Sequence, residues 1–194
     1  MEKTKEIVFR RPGTRNFITP APLHGIEQII STKLLGIYIT STLSAATHVE
    51  HILSLANQRL HLLGLLKYQG LSPEALHLIF TSIVQSVITY ALPSFVGQLS
   101  KSDKSRINAF FHKALKRSLC NMPLDIEELI NTADKRLFRL IFSETHCLHH
   151  LLPPHRNVRT ASSLRTRGHN FTLPHMDSNL HKNTFINRCL FHFR

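Results

Sequence analysis

The sequence predicts a mostly α fold with a small N-terminal β portion and a partly ordered basic tail. Three observations carry that expectation. Apolar residues recur at helical spacing from about residue 45 to 142, short β-branched runs lie before residue 40, and the composition changes beyond His146. At 194 residues and 42% hydrophobic content the chain can build a core.

Lys3-Thr4-Lys5-Glu6-Ile7-Val8-Phe9-Arg10 runs from charge into β-branched and aromatic residues and breaks at Pro12-Gly13, which reads as a strand and a turn. Gly25 to Ile30 and Lys33 to Ile39 read as two further strands, joined as a hairpin through Ser31-Thr32. From about Ala45 to Lys67, Val49, Ile52, Leu53, Ala56, Leu60 and Leu63 follow a helical face, with Ser44 available as a cap and Gly70 past the end. Ser72 and Pro73 open a second helix carrying Leu76, Phe80, Ile83, Val84 and Val87, with Pro93 as its stop.

A third helix over about Ser102 to Cys120 places Ile107, Phe110, Phe111, Ala114 and Leu115 on one face and turns Lys104, Lys113, Lys116 and Arg117 largely away from it. Pro123 and Asp125 open a fourth helical region reaching about Phe142, with a break expected near Thr132-Ala133. From His146 onward seven Lys and Arg face a single Asp, and eight of the fourteen histidines fall here. That composition, with little periodicity until Asn183 to Phe193, predicts an extended or partly ordered tail.

Lys and Arg exceed Asp and Glu by 24 to 12, and the excess grows from +3 over residues 1–99 to +9 over residues 100–194. Such a field favours a polyanionic partner, met mostly by the second half. Three irregularly spaced cysteines make no disulfide framework and fit a reducing, intracellular setting in cytoplasm or nucleus. Residues 75–100 contain no Asp, Glu, Lys or Arg and are long enough to cross a bilayer, yet His77, Thr81, Ser82, Gln85, Ser86 and Thr89 recur along them. A helix buried among other helices explains that pattern better, so no membrane is expected.

Two-metal polymerase chemistry needs paired carboxylates, and Asp103, Asp125, Asp134 and Asp177 are each isolated. Glu127-Glu128 lies in the first turn of a predicted helix, where negative charge complements the dipole. No Gly-rich phosphate loop, Gly-x-Ser-x-Gly or His-Glu-x-x-His motif occurs. His146-Cys147-Leu148-His149-His150 holds possible zinc ligands but lacks the second spaced pair that a structural site uses, so no metal is expected. Arg165, Arg167, His169 and Phe171, then Lys182, Phe185, Arg188, Phe191 and Phe193, interleave cations with aromatics in the manner of phosphate contact and base stacking.

Lys3 to Phe9 followed, after a loop, by Lys33-Leu34-Leu35-Gly36-Ile37-Tyr38-Ile39 resembles the segment after the catalytic hairpin in non-LTR (LINE, jockey-like) retrotransposon reverse transcriptases. Ile52 to Leu66, Tyr90-Ala91-Leu92-Pro93 and Arg106 to Phe111 resemble the helical thumb of the same family, and His146 to Pro153 and Leu180 to Phe193 its closing stretch. No single motif is specific; their order is what resembles.

The resemblance implies the end of a palm with a primer-grip-like hairpin over residues 1–40, a helical thumb-like region over 41–145, and a basic His/Arg-rich tail over 146–194. It implies that Leu35, Gly36 and Ile37 support a primer end, that Lys3 or Lys5 lies near nucleotide phosphates, and that Arg59, Lys67, Lys104, Lys113, Lys116 and Arg117 track the template and primer backbone. Arg165 and Arg167 add cations in the tail. The family's fingers, most of its palm and its catalytic aspartates have no counterpart in this sequence. Its Mg ions are held through those absent residues, so no cofactor, no catalytic residue and no polymerase chemistry by this chain alone are expected. The expected partners are RNA and DNA as primer-template, together with the missing fingers and palm of the parent polymerase. A relic helical protein of a degenerate transposable element and a small helical membrane protein are the alternatives.

Overall fold

The computed structural model describes residues 4–11, 13, 16–155 and 168–193, and the chain divides into two units. The first comprises Met1–Tyr90 with Gln98–Asp125, and the second Ala91–Gly97 with Ile126–Arg194. The architecture is mostly α, and among the described residues the short strands lie in the N-terminal part.

In the first unit, β1 (Lys5–Ile7) pairs in parallel with β2 (Glu27–Ile29), Lys5 lying opposite Glu27. β3 (Ser31–Leu34) and β4 (Ile37–Thr40) form an antiparallel hairpin. Its turn is Leu35-Gly36, with φ of 48° and 89°, and not Ser31-Thr32 as the sequence suggested. A two-residue hairpin turn that matches the strand twist needs positive φ at both positions, which β-branched Thr32 resists and Gly36 adopts freely. Residues 25–30, expected as the hairpin's first strand, instead supply the parallel partner of β1.

Helix α1 (Ala46–Tyr68) packs its buried face, Val49, Ile52, Leu53, Ala56, Leu60 and Leu63, against β4 and the helical segments that follow. It ends in a Schellman motif: Gly70, at φ 90°, donates to the Lys67 carbonyl at 3.0 Å and Leu71 to Leu66 at 3.1 Å. Ser72 caps α2 (Pro73–Ile79) by accepting from Ala75 N–H at 3.3 Å. The helix continues through a π-helical stretch, Phe80–Gln85, into α3 (Ser86–Thr89), burying Leu76, Phe80, Val84 and Ile88. Ser82, Ser86 and Thr89 return their hydroxyls to the carbonyls four residues back, which satisfies polar groups in an otherwise apolar stretch. Pro73–Gln98 is long and apolar enough to cross a membrane, but its helix breaks at Ala91, where φ is 49°.

Helix α5 (Lys101–Lys116) starts in a capping box that the sequence reading missed, Ser100 and Asp103 each accepting from the other's backbone N–H at 3.1 Å. Ser118, at φ 53°, takes the left-handed position after the helix that glycine usually fills.

In the second unit Pro93 does not stop a helix; it sits in the first turn of α4 (Leu92–Phe95), where its missing N–H costs nothing. A 3₁₀ turn, Val96–Gln98, follows, and a Cβ on Gly97 would lie 2.0 Å from the Asn183 carbonyl oxygen, so the close backbone approach requires glycine. Helix α6 (Ile126–Leu140) is continuous through Thr132-Ala133, where a break was expected: both residues are helix-compatible, and Asp134 beyond them is held inward.

After a 3₁₀ turn (His149–Leu151), the described residues from 168 onward do not trail away as an extended tail. They form α7 (Asn179–Lys182) and α8 (Phe185–His192), and Phe171, Cys189 and Leu190 share one core with Phe138 and Ile141 of α6 and its end. The polar composition hid this because few apolar residues suffice when each is large and buried together. The His169 ring closes the unit, its Nε2 on the Leu190 carbonyl at 2.8 Å and its Nδ1 accepting from Phe171 N–H at 3.3 Å.

Candidate nucleic-acid interface

Of the cations that the sequence singles out, four collect at one place on the first unit. Lys113, Lys116 and Arg117 occupy the last turn and C-terminal cap of α5, all exposed. Lys67, in the last turn of α1, reaches across to them and donates its ammonium to the Arg117 carbonyl at 2.7 Å. That bond serves a free carbonyl at a helix C-terminus, where positive charge is also favoured by the dipole.

Lys113 is tied to α1 in turn. Asn57 donates its amide to the Leu53 carbonyl at 2.8 Å, which leaves Oδ1 to accept from Lys113 Nζ, also at 2.8 Å. Each ammonium has three donors, and these bonds use one, so both lysines keep N–H groups for an anion. Hydrogen bonds between α1 and the end of α5 thus hold two of the four cations, while Lys116 and Arg117 extend them along the outer surface.

The other predicted contacts lie elsewhere. Lys104 is half-buried in the first turn of α5, nine residues before Lys113, or about 13 Å at the helical rise. Arg59 donates to the carbonyl of Ile83 inside the π-helical stretch, where widening the helix displaces carbonyls from their usual partners. Its guanidinium therefore braces α1 against that segment. Lys5 is paired with Glu27 at 2.8 Å and offers little net field. Lys3, Arg165 and Arg167 fall outside the described residues.

Leu35 and Gly36 form the hairpin tip, and Ile37 begins β4. Tyr90 donates its hydroxyl to the Leu35 carbonyl at 3.2 Å, and a Cβ on Gly36 would meet the Tyr90 ring at 3.2 Å. Leu35 is 84% exposed. A glycine here thus admits a tyrosine ring, and the exposed part of the tip is apolar.

In the second unit Arg188, read from the sequence as a phosphate contact, is committed internally. It makes a bidentate pair with Asp134 and donates to the carbonyls of Pro93 at 2.7 Å and Asn183 at 3.2 Å. Phe185 carries this guanidinium on its ring and Phe193 stacks on Phe138, so these aromatics build the fold. A partner 54 residues away in the chain is invisible to composition, which is why Arg188 looked available. Among the described residues no group of three His, Cys, Asp or Glu is placed to hold a metal ion. His146 and His149 use their Nδ1 atoms on the Leu148 N–H and the Ile141 carbonyl.

No known family, no curated protein and no solved structure matches this chain.

Proposed function

We propose that this chain binds nucleic acid through the surface shared by the ends of α1 and α5, as the C-terminal part of a LINE-type RNA-directed DNA polymerase that is not catalytic by itself. The observation that carries the reading is that Lys113, Lys116 and Arg117 lie within about one turn at the end of α5, with Lys67 of α1 bonded to the Arg117 carbonyl and Lys113 to Asn57. Phosphate contact needs positive charge at a tolerant distance, and a cluster of four supplies it without sequence preference. The net charge of +12 acts in the same direction.

The test is the affinity of the full chain for a fluorescent primer-template duplex across a salt series. The expected outcome is a logarithm of affinity that falls linearly with the logarithm of salt, with a shallower slope once Lys113, Lys116 and Arg117 are replaced by Ala. Binding that is insensitive to salt and to the triple substitution removes this reading and favours a relic with no selected partner. Nucleotide incorporation is expected to be absent with or without Mg.

A further inference from the structure

Tyr68 is the last residue of α1 and the most exposed aromatic ring among the described residues, at 92%. It directly follows Lys67, whose ammonium is fixed on the Arg117 carbonyl. Adjacent Cα atoms are about 3.8 Å apart and their side chains leave the helix about 100° apart, so the ring lies to one side of Lys67 at the end of α1 that reaches α5. Leu65 and Leu62, at one and two helical steps of three residues before it, are 49% and 54% exposed and extend the apolar surface along α1.

An aromatic ring left in water beside fixed cations has the two components of a single-strand site: positive charge for the backbone and a π face for an unpaired base. A duplex can use only the first, because its base faces are already stacked and covered. We infer that the α1–α5 surface takes single-stranded nucleic acid, an unpaired base stacking on Tyr68 while Lys67, Lys113, Lys116 and Arg117 hold the neighbouring phosphates. This rests on the nucleic-acid reading above and adds the strandedness of the ligand. The stripe of Leu62, Leu65 and Tyr68 without charge would equally suit a second copy of the chain; the adjoining cations favour the polyanion.

The experiment compares the full chain, Tyr68→Ala and Tyr68→Phe in fluorescence anisotropy with an oligo-dT strand and a blunt duplex of equal length. Tyr68→Ala is expected to weaken single-strand binding about 10-fold or more, the scale of one lost base stack, while Tyr68→Phe holds. Duplex binding should stay unchanged in both variants. An equal loss on both ligands, no loss on either, or a Phe variant as weak as Ala overturns the stacking proposal and leaves the phosphate surface standing. A sedimentation coefficient that drops in Tyr68→Ala with oligonucleotide preference unchanged assigns the stripe to self-association and overturns it too. Wild-type chain that binds neither ligand ends the nucleic-acid reading itself.

Discussion

Arg188 and Asp134 face each other fork to fork, Nε to Oδ2 and Nη2 to Oδ1 both at 2.7 Å, with the carboxylate side chain only 7% exposed. The pair joins α8 to α6, and the same guanidinium reaches the Pro93 carbonyl of α4. Both charges are largely withdrawn from water, so each depends on the other for its solvation.

Arg188→Ala is therefore expected to destabilise the second unit by about 3 kcal/mol, the scale of stranding one member of a buried pair. Arg188→Lys should recover only part, since one ammonium cannot reproduce the planar two-point contact. Urea unfolding followed by far-ultraviolet circular dichroism measures it, the chain having no tryptophan. A loss under about 0.5 kcal/mol would place the pair with ordinary surface bridges.

The hairpin tip predicts two substitutions of opposite sign. Leu35 occupies a left-handed conformation that Asn tolerates better, so Leu35→Asn should stabilise by about 1 kcal/mol. Gly36→Ala combines positive φ with a ring contact at 3.2 Å and should cost about 2 kcal/mol. Hydrogen exchange at the amides of residues 31–40 should slow in the first variant and quicken in the second.

His48 is buried in the first turns of α1, and its pKa is lowered from the ordinary 6.5 by burial first, then by His51 and Lys33. The folded state thus resists a proton that the unfolded chain accepts. The sign follows: the His48 contribution is intact above about pH 6.5 and is lost as pH falls from there through the folded pKa. Thermal midpoints at pH 7.5 and 5.5 should differ less in His48→Leu than in the parent chain. An unchanged difference would show that other histidines carry the acid sensitivity.

The three thiols should separate by reactivity. Burial, followed by the negative charge of Asp134 and against the pull of Arg188, pushes Cys189 up to about 12. Burial also raises Cys120, whereas Cys147 is exposed. Iodoacetamide at pH 8 should label Cys147 alone, and the other two only after denaturant is added, as peptide mass spectrometry would read. Rapid labelling of Cys189 in the native chain would contradict its packing beside Leu190.

The sequence by itself determined the local decisions. Apolar spacing marked α1, α2 and α5, Ser72-Pro73 marked a helix start, and Gly70 an end, because each rests on backbone geometry or on one face of a single helix. The cations Lys67, Lys113, Lys116 and Arg117 were legible as a polar face. Their meeting was not, since it depends on how α1 crosses α5. Tertiary structure alone decided that Leu35-Gly36 makes the turn, that Arg59 lends an N–H to the Ile83 carbonyl while Arg188 pairs with Asp134, and that Phe171 and Leu190 belong to a core. The reason is common to all of them: which partner desolvates a charge or a ring is fixed by residues distant in the chain, and composition records the side chain without its neighbour.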